Sequence, residues 1–169
     1  KGGKQHDYLI HADGELVLPA GEFKSIAPAE IGKPELGIKY LYSAEKSPVQ
    51  EDFTVKWNST VKQDTITTAV KFFPGNHGEL LKFSAPGLRD RTNPMGDVKI
   101  YPVILRKTGP VNHFVTLING YRRNPDVTSA VKLDTAKADT IAMRVECGEF
   151  TDIILVDNSG NDLPVEVQY

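Results

Sequence analysis

Short runs in which apolar and polar residues take turns, each closed by a turn-forming cluster, constrain this chain more than any other feature. Phe53, Val55 and Trp57 alternate with Thr54, Lys56 and Asn58. Successive side chains of a strand point to opposite faces, so this period marks ribbons with one face toward a core. Ile66, Val70 and Phe72 share a parity with Thr68, and Tyr101, Val103 and Leu105 form one face of another run. Phe114, Thr116 and Ile118 oppose His113, Val115 and Leu117, while Ile141, Met143, Val145 and Cys147 oppose Ala142, Arg144 and Glu146. The run Ile153 to Val156 is apolar on both faces, which predicts a central strand. No stretch of ten residues carries convincing helical spacing.

Turn signals punctuate these runs at the intervals of an all-β domain. They are Asp13-Gly14, Pro74-Gly75-Asn76, Pro86-Gly87, Asn93-Pro94, Asn119-Gly120 and Asn158-Ser159-Gly160. Pro19 to Gly37 and Pro86 to Gly96 read as two long loops. The expectation is an all-β fold with little or no helix: an antiparallel β-sandwich of about ten strands, as one domain over residues 1–169.

At 169 residues the chain can bury roughly 70% of the surface its unfolded form exposes, so it needs no disulfide or metal staple to fold. Its net charge of −2 gives no reason to expect a nucleic acid or an anionic membrane as partner. No stretch approaches the roughly 20 apolar residues of a membrane-crossing helix. Lys1-Gly2-Gly3 at the start, with no initiator methionine, reads as a processed or excised chain. Cys147 is the one cysteine and has no partner for an internal disulfide.

The stretch HDYLIHADGEL, residues 6–16, concentrates two of the four histidines with three acids. Taken as a strand from Asp7 to Ala12, it sends His6 and His11 to opposite sides. Asp7 and His11 share a face but stand roughly 13 Å apart. Zinc ligands converge at about 2 Å from one ion, so this stretch alone builds no metal site. Asp13-Gly14-Glu15 reads as the turn into a strand at Leu16 to Leu18. His77 falls in a turn, exposed, and His113 reads as a half-buried strand histidine. No nucleophile elbow, phosphate loop, dinucleotide fingerprint or metal cluster is present, and no catalytic residue, metal ligand or cofactor is expected.

One patch carries recognition chemistry. Asn119-Gly120-Tyr121-Arg122-Arg123-Asn124 sets two arginines beside an aromatic ring and two amides at a strand end. Guanidinium forks grip carboxylate or sulfate bidentately, and tyrosine offers a flat face to a sugar ring. Asn119, Tyr121, Arg122 and Arg123 are therefore candidate contacts to an acidic sugar, against the alternative of a solvated turn. Arg89 and Arg91, in the second long loop, add charge to the same ligand if the two loops meet.

HDYLIHADGEL, followed in order by FSAPGLRDR, VKIYPVILRKTGPVNHFVTLINGY and AMRVECGEFTDIILVDNSG, resembles the β-domain of heparinase II/III-like polysaccharide lyases. That domain follows an α/α toroid. The resemblance implies a parent that cleaves uronate-containing polysaccharide by β-elimination. There the carboxylate is neutralised, a base removes the C5 proton and an acid protonates the leaving oxygen. The family's catalytic residues and zinc site precede the matched segments, so none of the four histidines here inherits either role. The implied piece is a secreted or periplasmic, carboxy-terminal, non-catalytic sandwich. It packs on the missing toroid and helps form the cleft for acidic polysaccharide. Two other readings stay open: a stand-alone module that binds carbohydrate or protein, and a purely structural sandwich of a larger surface protein.

Overall fold

The computed structural model of the chain describes residues 3–33, 38–75, 77–87, 98–137 and 140–158. Among them, 62% lie in strands, thirteen in all, which form three antiparallel sheets. In chain order the strands are β1 (Gln5–Ile10), β2 (Glu15–Val17), β3 (Lys24–Ser25), β4 (Tyr42–Val49), β5 (Phe53–Val61), β6 (Asp64–Phe73) and β7 (Gly78–Pro86). There follow β8 (Lys99–Ile100), β9 (Val103–Thr108), β10 (Val115–Arg122), β11 (Val127–Leu133), β12 (Thr140–Cys147) and β13 (Phe150–Asp157). The expected all-β, sandwich-like architecture is present. The chain separates into two compact units, residues 1–123 and 124–169.

The first unit holds two sheets. One runs β1-β9-β7-β4-β3, with β8 paired to β7; the other runs β10-β6-β5-β2. Their inner faces share a core of Phe53, Val55, Trp57, Val70, Phe72, Leu80, Val103 and Leu105, against which Tyr8, Ile10, Leu16 and Phe114 pack. The register explains the membership. Phe53 stands opposite Phe72 and Val55 opposite Val70, so the alternation read along one strand continues across the next. The Phe53 and Phe72 rings stack at 4.9 Å. The expected turn at Asp13-Gly14 leads into β2, and because β1 pairs with β9 and β2 with β5, the chain crosses there between sheets.

The larger sheet is buried on both sides. On β7 and β9, Leu80, Val103 and Leu105 face inward, while Leu81, Phe83 and Ile104 face outward into a second core with Ile31 and Ala44. Residues 19–33, from the segment expected as a loop from Pro19 to Gly37, supply the cover. They contain β3 and a four-residue helix, α1 (Pro28–Ile31), begun by proline at its first turn. The Glu30 carboxylate accepts a hydrogen bond from the Ala27 N–H at 3.0 Å, and Ile31 is buried on the sheet.

Two other expectations are overturned. Asn119-Gly120 is no turn: it lies inside β10, with Asn119 opposite Ala69 and Gly120 opposite Thr68. Pairing along eight residues of β6 outweighs a local turn preference, and the chain bends only beyond it, at Arg123, whose φ is +60°. Ile153–Val156 is not central. In the second unit the order is β11-β12-β13, so this run forms an edge, and Ile153, Ile154, Leu155 and Val156 are each about two-fifths exposed. Among the described residues the buried apolar core of that sheet is small: Ala130, Ala142, Met143 and Val145. Asn76, the turn at Asn93-Pro94, most of the Pro86–Gly96 loop and Ser159-Gly160 lie outside the described residues.

Candidate functional site

The patch read from sequence is divided by strand alternation. Asn119 and Tyr121 sit two apart on β10, opposite Ala69 and Thr67, and so point to the outer face of the β10-β6-β5-β2 sheet. Arg122 belongs to the other parity, opposite Ile66; it is exposed and stands 3.5 Å from Asp64. Arg123 follows in a left-handed conformation at the end of the strand, exposed. Arg89 and Arg91 lie outside the described residues. The structure therefore unites Asn119 with Tyr121 and separates both from Arg122.

Other residues share that outer face with the pair. Across the sheet the rows read Tyr121, Thr67, Asn58 and Glu15, then Asn119, Ala69, Lys56 and Val17, then Leu117, Lys71 and Thr54. Strand spacing and rise place the backbones of Lys56 and Lys71 about 8 Å apart. Lys71 lies over the Phe73 ring, with its ammonium 5.2 Å from the centroid. The Thr67 hydroxyl donates to the Asn58 side-chain oxygen at 2.9 Å, which fixes that amide and leaves its N–H groups pointing away from the bond. Ala69, at the middle of the rows, keeps the centre of the face low. The result is a mixed, half-buried face on which two ammonium groups, two amides and one aromatic ring stand among Val17, Leu117 and the buried Phe73. Lys56 and Asn58 were visible in the sequence as the polar parity of the Phe53–Asn58 alternation; their neighbourhood with Tyr121 needed the β5-β6-β10 register.

The polar groups of HDYLIHADGEL are structural. Asp7 stands directly across from Arg106 and receives two bonds from its guanidinium, both 2.8 Å. The same guanidinium donates to the carbonyls of Glu30, at 2.8 Å, and Ile31, so it clamps the end of α1 onto the sheet. Hydrogen bonding to Asp7 raises the Arg106 pKa above its ordinary value; burial opposes this, and the charges of Asp7 and Glu79 add to it. His6 Nε2 lies 3.1 Å from the Gly109 carbonyl, while His11 falls beyond the strand. His77 is exposed, as expected. His113 is exposed rather than half-buried, because β10 begins only at Val115. Among the described residues, no group of three or more His, Cys, Asp or Glu is placed to hold a metal ion. No helix among them is long and apolar enough to cross a membrane.

With this geometry in hand, comparison with known proteins adds no identity: no protein-family model, no curated protein and no solved structure matches the chain.

Proposed function

We propose that this chain is a non-catalytic β-sandwich that holds acidic polysaccharide. It corresponds to the sandwich that heparinase II/III-like lyases carry beside a catalytic toroid, and it works outside the cytoplasm. The observation that carries the reading is the outer face of the β10-β6-β5-β2 sheet, where Tyr121 and Asn119 share rows with Asn58, Lys56 and Lys71. A polysaccharide is long and shallow, and a flat sheet face accepts it without a deep pocket. Two ammonium groups match the carboxylates or sulfates of adjoining sugars, the amides match hydroxyls, and the tyrosine ring offers an apolar face. Arg122, on the opposite parity, takes no part in this contact.

The test is binding of uronate oligosaccharides to the chain by calorimetry at low and moderate salt. Binding should weaken as salt rises, because the charges are solvent-accessible. It should fall about tenfold in Lys56→Gln with Lys71→Gln, and stay unchanged in Arg122→Gln. Incubation of the chain alone with the polymer should produce no unsaturated ends absorbing in the ultraviolet. Absence of binding at low salt, or binding indifferent to both lysines, would refute the proposal.

A further inference from the structure

A cleft opens between the two sheets of the first unit. Along the inner face of β7 the side chains change from apolar to polar: Leu80 is fully buried, whereas Lys82 and Ser84, of the same parity, are only half-buried. Glu45 of β4 pairs with Lys82 at 3.0 Å, and Leu16 and Leu18 face them from the other side. Between them opens a cleft of about 660 Å³, into which Tyr101 also faces. That volume falls within the range of small-ligand sites.

The wall of this cleft carries strain. Ser43 has φ +52°, a left-handed conformation disfavoured for a residue with a Cβ. Among the described residues, Lys62 and Arg123 are the other non-glycines with positive φ, and both lie outside the strands. Ser43 lies inside a strand. The register between β4 and β7 shifts there, so Ser43 and Ala44 together oppose Phe83. This bulge sends Ala44 into the outer core and leaves Ser43 on the cleft wall. The Ser84 hydroxyl, donating to the Tyr42 carbonyl at 3.3 Å, ties the bulge to β7. Strained residues and bulges recur at binding sites because they aim a side chain that regular pairing would point elsewhere. The opposite wall is anchored: Trp57, fully buried, donates from Nε1 to the Tyr101 carbonyl at 2.8 Å.

We propose that this cleft binds a neutral, hydroxyl-rich sugar. Its lining sets Asp13 and Glu45 against Lys82 and Lys99, so it offers an acidic ligand no net positive charge. Lys82 is already matched by Glu45. An acidic sugar is therefore disfavoured, whereas carboxylates and the hydroxyls of Ser43 and Ser84 suit the alternating donors and acceptors of a neutral ring. Tyr101, about a third exposed, supplies the flat apolar contact. The site is independent of the lysine-bearing face, which lies on the outside of the other sheet.

The chain's single tryptophan, bonded to the backbone of Tyr101, gives a built-in reporter. Emission of the whole chain should be titrated with cellotriose, mannotriose and chitotriose, with a triuronate as the acidic comparator. The expected result is a saturable change with at least one neutral trisaccharide. It should weaken at least about tenfold in Tyr101→Ala and persist in Lys56→Gln with Lys71→Gln. Ser43→Gly relieves the backbone strain while deleting the hydroxyl, so it should weaken binding and leave the melting temperature equal or higher. Three outcomes would each overturn the proposal: no response to any neutral probe at millimolar concentration, binding unchanged in both cleft variants, or triuronate binding lost in the cleft variants and kept in the lysine pair.

Discussion

Replacing Arg106 with alanine should loosen the first unit more than any other single polar substitution. Arg106 lies on the outer face of the larger sheet and is 6% exposed. Its side chain makes four bonds: two to the Asp7 carboxylate and one each to the carbonyls of Glu30 and Ile31. Truncation leaves the carboxylate without its cation and the two carbonyls at the end of α1 without donors. Removing one member of a buried ion pair costs about 3–5 kcal/mol. The Asp7 side chain is 31% exposed, so water restores part of its solvation, and the lower end of that range applies. About 3 kcal/mol corresponds to a fall of roughly 10 °C in the melting temperature of a chain this size. Urea unfolding followed by Trp57 emission measures it, because that residue reports the first unit. Asp7→Asn loses the charge and one of the two acceptors and sets an amide donor against the guanidinium, so it should cost at least about half as much. The sign with pH follows from the raised Arg106 pKa: on the alkaline side its contribution is present at neutral pH and is lost as strongly alkaline conditions strip the proton. The reasoning is refuted if Arg106→Ala costs under about 1 kcal/mol, or if the costs of Asp7→Ala and Arg106→Ala simply add in the double variant.

Gly14→Ala should cost more than about 2 kcal/mol by urea unfolding, since Gly14 has φ +113° and a Cβ there would meet the Asn58 carbonyl oxygen at 2.4 Å. Asp64→Asn should change stability by less than about 0.5 kcal/mol in the same assay, because its pair with Arg122 is solvent-exposed on both sides. Ile153→Glu should reduce concentration-dependent association, measured by sedimentation velocity. It places a charge on the apolar edge strand, directly across from Arg144; equal association in the two proteins would count against the edge as the contact.

The period-two alternation was enough to find the main strands, because the same residues that alternate in the sequence fill the core: Phe53, Val55, Trp57, Val70 and Phe72 are all buried. What it could not supply was position within a sheet. Ile153 to Val156 reads as central by hydrophobicity alone, yet it is an edge, because apolar content does not reveal how many neighbours a strand has. Asn119-Gly120 carries a turn signal that eight residues of cross-strand pairing override. The candidate site was half legible. Tyr121 and Asn119 were found from their chemistry, while Lys56 and Lys71 join them only through register, which is a property of pairs of strands. Arg106 was hidden for the same reason: its partner stands 99 residues away.

The thin interior of the second unit sets an order of opening within the molecule. Among the described residues, two of its four buried apolar residues are alanines, whereas the first unit encloses a tryptophan, several phenylalanines and leucines. Backbone amides of β11, β12 and β13 therefore exchange with deuterated water ahead of those in β5 and β6. A single melting temperature would average over two events, the earlier of which is silent to the chain's only indole.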